Sequence, residues 1–330
     1  NNTAVGDQSL TTNTTGHSNA ALGRQSLVFN TTGSQNTAIG FEALALNTTA
    51  SNNTAVGHLA LQQNTTGADN VAVGSIALDA NTTGNQNIAI GKNSLGANTT
   101  GSANVAMGQS ALGANTTASN NTAIGVEALV ANTTGPSNVA VGRGALEANT
   151  TASANVAIGA SSLNVSTTGG DNTAVGESSG IDITTGANNL CLGNAAGRSD
   201  SPSGSITTGS NNIVLGNNSS SNAYIKVAFT VTSDQRDKIE DGVVSHGLDF
   251  VNQLKPKSFW FRKNRNSDEK HGDKRYGFYA QDILALEGSD SVIIDSKDSD
   301  NLKFKGDQLI PVLVNAIKEL SAKVTALEAG

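Results

Sequence analysis

Along most of the chain the apolar positions recur with a period that belongs to neither a single helix nor an ordinary strand. The glycine of Asn-x-Ala-(Val/Ile)-Gly falls at 6, 23, 40, 57, 74, 91, 108, 125, 142, 159, 176 and 193, each step being 17 residues, with Leu22, Met107 and Leu192 as apolar variants before it. The unit reads Asn-x-Ala-(Val/Ile)-Gly-x-x-(Ala/Ser)-Leu-x-x-Asn-Thr-Thr-(Gly/Ala)-x-x. Seventeen residues are too few for a helix pair and suit one coil of a parallel β-solenoid. In Asn70-Val71-Ala72-Val73-Gly74 the period of two puts Val71 and Val73 on one face and Ala72 on the other. After a turn at Gly74, Leu78 supplies a second apolar contact. The Asn-Thr-Thr-Gly segment is expected to turn through a left-handed Asn and a Gly at positive φ. Stacking aligns Asn81, Asn98, Asn115 and Asn132 into a ladder whose amides can bond along the axis.

Each coil offers few large apolar residues, which is thin for a solitary solenoid. The regular alanine (Ala38, Ala55, Ala72, Ala89) would admit another chain closely, which predicts a homotrimer sharing a central alanine seam. At about 4.8 Å per coil the rod is on the order of 60 Å long. The pattern weakens late, with Gly180 and Gly197 where leucine stood. A thirteenth glycine, Gly216, comes 23 residues after Gly193, the excess lying in the loop 199–204. The predicted mainly β solenoid therefore spans 1–216, and 217–232 is a neck in which Ala223–Thr232 alternates as a strand would.

From Ser233 the pattern becomes that of a small α+β domain, 233–330. A helix is predicted over 243–254 and stops at Pro256, strands over 258–262, 276–280 and 291–294, a charged loop over 264–273, and a short helix after Gln281. Ile310, Leu313, Ile317, Leu320, Val324 and Leu327 form the seam of a coiled-coil helix. β-Branched residues at one seam position and leucine at the other favour two strands in an isolated coiled coil, against the trimer. Three heptads attached to a larger assembly do not set its symmetry.

Composition sharpens the same boundary. Residues 1–232 hold 15 charged residues and four aromatics, whereas the remaining 98 hold 32 and eight. The net charge of −7 and the lack of a basic stripe argue against nucleic acid as a partner. The single cysteine, Cys191, fits a small buried apolar position. No stretch reaches membrane-span length, so no membrane insertion is expected, and no metal site or cofactor is implied. The chain opens inside a repeat, at Asn1, and is read as lacking its own attachment region.

The repeat resembles the heads of trimeric autotransporter adhesins and the repeats of phage tail fibres, though its coil is longer than in the adhesin heads. A more specific resemblance follows it. Ser233-Asp234-Gln235-Arg236-Asp237-Lys238, Leu254-Lys255-Pro256-Lys257-Ser258-Phe259, Tyr276-Gly277-Phe278-Tyr279-Ala280-Gln281-Asp282 and the run Leu309–Leu320 occur in that order. Together they resemble the carboxy-terminal intramolecular chaperone of phage tail spikes and fibres, the auto-processing endosialidase-type family.

That resemblance implies a domain that trimerises first, aligns the β-rich rod and releases itself by cutting between Thr232 and Ser233. Ser233 matches the nucleophile and Lys238 its base, with Asp234 and Arg236 in support. The protein would be a serine peptidase of a single, self-directed turnover. Five residues on an α-helix would set the two side chains about 140° apart, so the dyad requires a bent segment or a lysine from another protomer. The alternative is that Ser233 or Asp234 caps a helix beginning near Arg236.

The implied setting is the tip of a virion tail fibre that meets a host cell-surface receptor, a glycan. Two other readings are a bacterial trimeric surface adhesin and a glycan-degrading tail spike. The first needs a membrane-anchoring barrel, whereas the chain ends on a heptad helix. The second needs paired carboxylates, whereas Asp7, Glu42, Asp69 and Asp79 take different coil positions. Asn-Thr-Thr also matches an N-glycosylation acceptor, a match that an Asn/Thr-rich turn produces by accident. An ice-binding threonine face is disfavoured, because Thr82 and Thr83 point to opposite sides.

Overall fold

The computed structural model describes residues 1–330 except 200, 202, 221–225, 227–232, 234, 263–266, 290, 298 and 301. The expected neck strand lies almost wholly outside the described residues. The chain divides into two compact units, Asn1–Asn217 and Asn218–Gly330.

The first unit is a parallel β-solenoid. Thirteen strands of three residues each, from β1 (Thr3–Val5) to β12 (Leu190–Leu192) and β13 (Ile213–Leu215), pair in chain order within one sheet. The register repeats the sequence period without slip: Val71 faces Ile88, Ala72 faces Ala89, and Val73 faces Ile90. Only the last step is longer, pairing Leu190 with Ile213.

The alanines do not form a seam between chains. Ala72, Ala89, Ala106 and their equivalents are fully buried inside the coil, packed with the column Leu27 to Leu163 and a second alanine such as Ala77. Each coil is too narrow for a β-branched residue opposite a leucine, so alanine takes the inner face. The bulkier strand residues point outward and stay partly exposed, as Ile39, Ile90, Met107 and Ile124 do at 36–39%.

Two asparagine ladders replace the missing apolar volume. Along the first, Asn98 Nδ2 donates to Asn81 Oδ1 (2.9 Å), Asn115 to Asn98 (2.9 Å) and Asn132 to Asn115 (3.0 Å). Along the second, the Asn87 N–H donates to Asn70 Oδ1 (2.9 Å), while Asn87 Nδ2 crosses the coil to Gly101 C=O (2.9 Å). These side chains are buried, so each ladder satisfies polar groups that would otherwise be costly. Each first threonine adds a rung, such as Thr82 Oγ1 to Thr99 C=O (3.0 Å).

The turn geometry differs from the expectation. The glycines of Asn-Thr-Thr-Gly do not take positive φ, which is why Ala50, Ala118 and Ala152 occupy the same position. Left-handed backbone falls instead on the variable positions and on the buried leucine: Ile76 (φ 51°), Leu78 (φ 53°) and Gln86 (φ 60°) in one coil. The glycine that ends each strand is required. Gly74 has φ 138°, and a Cβ there would lie 2.6 Å from the Gly91 carbonyl oxygen.

The late irregularities compensate one another. Gly180 replaces the core leucine, and a Cβ on it would lie 2.9 Å from Leu163 Cδ2 and 3.2 Å from Ile183 Cδ1. Ile183, fully buried, stands where earlier coils carry the ladder asparagine. Gly197 and the buried Ile206 repeat the exchange. The core volume thus passes from one side of the coil to the other.

The second unit packs α1 (Leu248–Gln253), the hairpin β14 (Lys257–Arg262) and β15 (Lys270–Gly277), α2 (Ala280–Glu287), the short pair β16 (Ile294–Asp295) and β17 (Lys303–Phe304), and α3 (Leu309–Glu328). Phe250, Ile283, Ile293, Ile294, Leu309 and Val312 form its core. The expected charged loop is shorter than predicted, because β15 already starts at Lys270. The expected strand at 291–294 shrinks to Ile294–Asp295, and the first helix starts five residues later than 243. In α3 the buried residues are Leu309, Val312 and Ala316, while the heptad seam residues Ile310, Ile317, Leu320 and Leu327 stay at least half exposed.

Candidate functional site

The serine–lysine segment is local in origin. A 3₁₀ turn at Gln235–Asp237 is closed by the Lys238 N–H donating to Gln235 C=O (3.1 Å). This turn folds Lys238 back onto Ser233 of the same chain. Lys238 Nζ lies 2.5 Å from Ser233 Oγ and 3.4 Å from the Ser233 carbonyl oxygen. Ser233, Arg236 and Lys238 are exposed. Thr232 and Asp234 lie outside the described residues, and the helix expected to begin near Arg236 is this single turn.

Downstream, three polar residues hold the domain together, and of these only Glu287 was not singled out by the sequence pattern. Glu287 is nearly buried, and its carboxylate accepts the N–H groups of Val292 (2.8 Å), Ile293 (2.6 Å) and Ile294 (3.0 Å). Glu319 Oε2 accepts the Leu248 N–H at the start of α1 (2.9 Å), and Asn315 Nδ2 donates to His246 C=O (3.0 Å). Asn315 and Glu319 are one helical turn apart on α3, so they grip the 246–248 segment together. The run Leu309–Leu320 announced both; the contacts that use them are 69 and 71 residues away in sequence. His246 stacks on Phe250 (4.3 Å).

Burial pushes the Cys191 thiol up to about 11, leaving it protonated at neutral pH. Asp7 pairs with Arg24 (3.7 Å), and Glu42 accepts a hydrogen bond from Gln62. Among the described residues no group of three or more His, Cys, Asp or Glu could hold a metal ion, and no helix is long and apolar enough to cross a membrane.

Against this geometry, residues 233–290 match the family model described as chaperone of endosialidase. The match opens on Ser233 and ends before α3. No curated protein and no solved structure matches the chain. A β-solenoid of 17-residue coils followed by a chaperone-of-endosialidase domain is the build of a tail-fibre-like protein.

Proposed function

We propose that the chain is the distal part of a homotrimeric phage tail fibre that adheres to a host surface. Its last domain templates the trimer and releases itself between Thr232 and Ser233. The observation that carries the reading is Lys238 Nζ on Ser233 Oγ at 2.5 Å, on the first residue of the family match. Two exposed apolar surfaces favour the trimer: the outward strand residues and the α3 seam. A rod of near-identical coils also needs an alignment device, because a slip of one coil leaves almost every contact unchanged.

The chemistry follows from the dyad. Lys238, as the free amine, takes the hydroxyl proton while Ser233 Oγ bonds to the Thr232 carbonyl carbon. The carbon–nitrogen bond breaks, the proton passes to the leaving Ser233 nitrogen, and the chain is held by an ester. Water then hydrolyses the ester, giving a carboxylate at Thr232 and an amino terminus at Ser233. Removal of water from around a lysine favours the amine form that this step uses. Packing of partner copies over the segment would thus couple cutting to assembly.

Intact-mass measurement of freshly expressed protein tests this. The wild-type chain splits into 1–232 and 233–330, hydroxylamine accelerates the split by trapping the ester, and Ser233→Ala and Lys238→Met stay whole. A single full-length species in wild type and both variants sinks self-cleavage and leaves the chaperone role in place.

A further inference from the structure

Among the variable positions of the coil, the one just after the strand-ending glycine carries charged and aromatic side chains in adjacent coils. There successive coils carry Asp7, Arg24, Phe41, His58, Ser75 and Lys92. Stacking turns this column into a surface ladder. Asp7 pairs with Arg24, the Arg24 guanidinium lies 5.6 Å from the centroid of the Phe41 ring, and the His58 ring stacks on Phe41 at 5.5 Å and 14°. His58, Ser75 and Lys92 are exposed. One face of the His58 imidazole is therefore covered by Phe41, and the other looks along the rod over Ser75 toward Lys92. The rung at Ser75 is empty of side chain beyond its hydroxyl. His58 and Lys92 stand two coil rises apart, about 9.6 Å, which leaves room for one flat ring stacked on His58 with its substituents in reach of the lysine.

We propose that this notch binds a saccharide bearing an acidic substituent: its ring packs on the open face of His58, a hydroxyl meets Ser75, and its carboxylate or phosphate pairs with Lys92. Sugar rings present a C–H face that suits an aromatic surface, while the ring's hydroxyls and acid need the polar partners beside it. Phe41 and Arg24 hold the imidazole in place from behind, so the platform is ordered before the ligand arrives. Asp7 is paired with Arg24, and Glu42 belongs to a coil three rises from that of Lys92, about 14 Å away, beyond the screening length at physiological salt, so neither strongly opposes an anion at Lys92. The site deepens the adhesive reading by naming where and what the rod grips, and it rests on that reading for its biological meaning.

Titration of the full chain with trigalacturonate and with the neutral cellotriose, followed by calorimetry, tests the site. Saturable binding of trigalacturonate is expected, with the neutral sugar weaker. His58→Ala is expected to weaken the acidic sugar about tenfold or more, about 1.4 kcal/mol or more. Lys92→Gln is expected to erase the preference for the acid, and Ser75→Trp to block both sugars. Thermal midpoints should not move, since all three residues are exposed.

Equal affinity for the two sugars, no binding, or unchanged binding by His58→Ala overturns the proposal. So does a drop in sedimentation mass in these variants, which would make the ladder a contact between copies of the chain. Adsorption to host cells is scored apart. A rod that holds trigalacturonate through His58 but ignores cells keeps the site and loses the host role.

Discussion

Asp79 sits half-buried where the neighbouring coils carry the uncharged Gln62 and Gly96. Burial raises its carboxyl pKa above 3.8, outweighing the backbone hydrogen bonds that lower it. A carboxyl whose folded pKa is raised binds its proton more tightly when folded. The penalty for ionisation is absent below pH 3.8 and fully developed above the raised value. Asp79→Asn is therefore expected to raise the thermal midpoint of the rod at pH 7.5 and to match wild type at pH 3. Solvent reaches the group, so the gain is small, on the order of one degree. A loss of stability at pH 7.5 would show that the carboxylate is doing something favourable. Ile76 shows the same residue-scale independence from the coil: it is β-branched yet left-handed (φ 51°), a local cost of about 1 kcal/mol or more that the stacked coil overrides.

The asparagine ladder makes its own prediction at the scale of the element. It runs unbroken to Asn149 and then meets Ser166, whose shorter side chain cannot reach back. Asn149 Oδ1 and Ser166 Oγ are both buried without partners. Ser166→Asn supplies an amide for Asn149 Oδ1 and for the Gly169 carbonyl, leaving one orphan acceptor facing Ile183 instead of two orphans. It should stabilise the rod by about 1 kcal/mol in a urea titration read by circular dichroism. Asn98→Ser, which creates the same gap mid-ladder, should cost about 2–3 kcal/mol. Equal effects of the two substitutions would mean that the ladder is ornamental.

The ladder and the 17-residue strand register were legible because identical side chains recur at a fixed distance. Which strand face turns inward was not. Alternation separates Val71 and Val73 from Ala72, but the choice depends on the coil's width, fixed by Leu78 from the opposite side. The left-handed sites hid because they hold Gln, Ile, Leu and Ser rather than Gly. In the second unit, β15 escaped because a charged hairpin strand such as Lys270–Gly277 lacks apolar alternation. Ser233 and Lys238 could be named from their motif, while the 3₁₀ turn that joins them left no mark in the spacing.

At the scale of the whole molecule, the inversion of the strand faces moves the expected contact between copies. A column of Val5, Leu22, Ile39, Ile90, Met107, Ile124, Ile158, Val175 and Leu192 runs the length of the sheet, each at least a third exposed. A contiguous apolar strip of this length exceeds what monomers usually leave to water. Because every rung lies on the same column, copies of the proposed trimer in register would bury it along its whole length, and copies slipped by one coil would bury almost as much. Alignment therefore has to come from a non-repeating part, and the exposed Ile310–Leu327 seam of α3 is such a part. The double variant Ile90→Lys, Ile124→Lys tests the assignment, since both side chains point away from the coil interior. Its β-sheet circular dichroism should match wild type, while sedimentation should show the proposed trimer giving way to single chains. Ala89→Lys should instead unfold the surrounding coils, because a buried lysine has no partner there. An intact trimer in the double variant would place the interface on another face, and a monomer from Ala89→Lys with native β-signal would return it to the alanines.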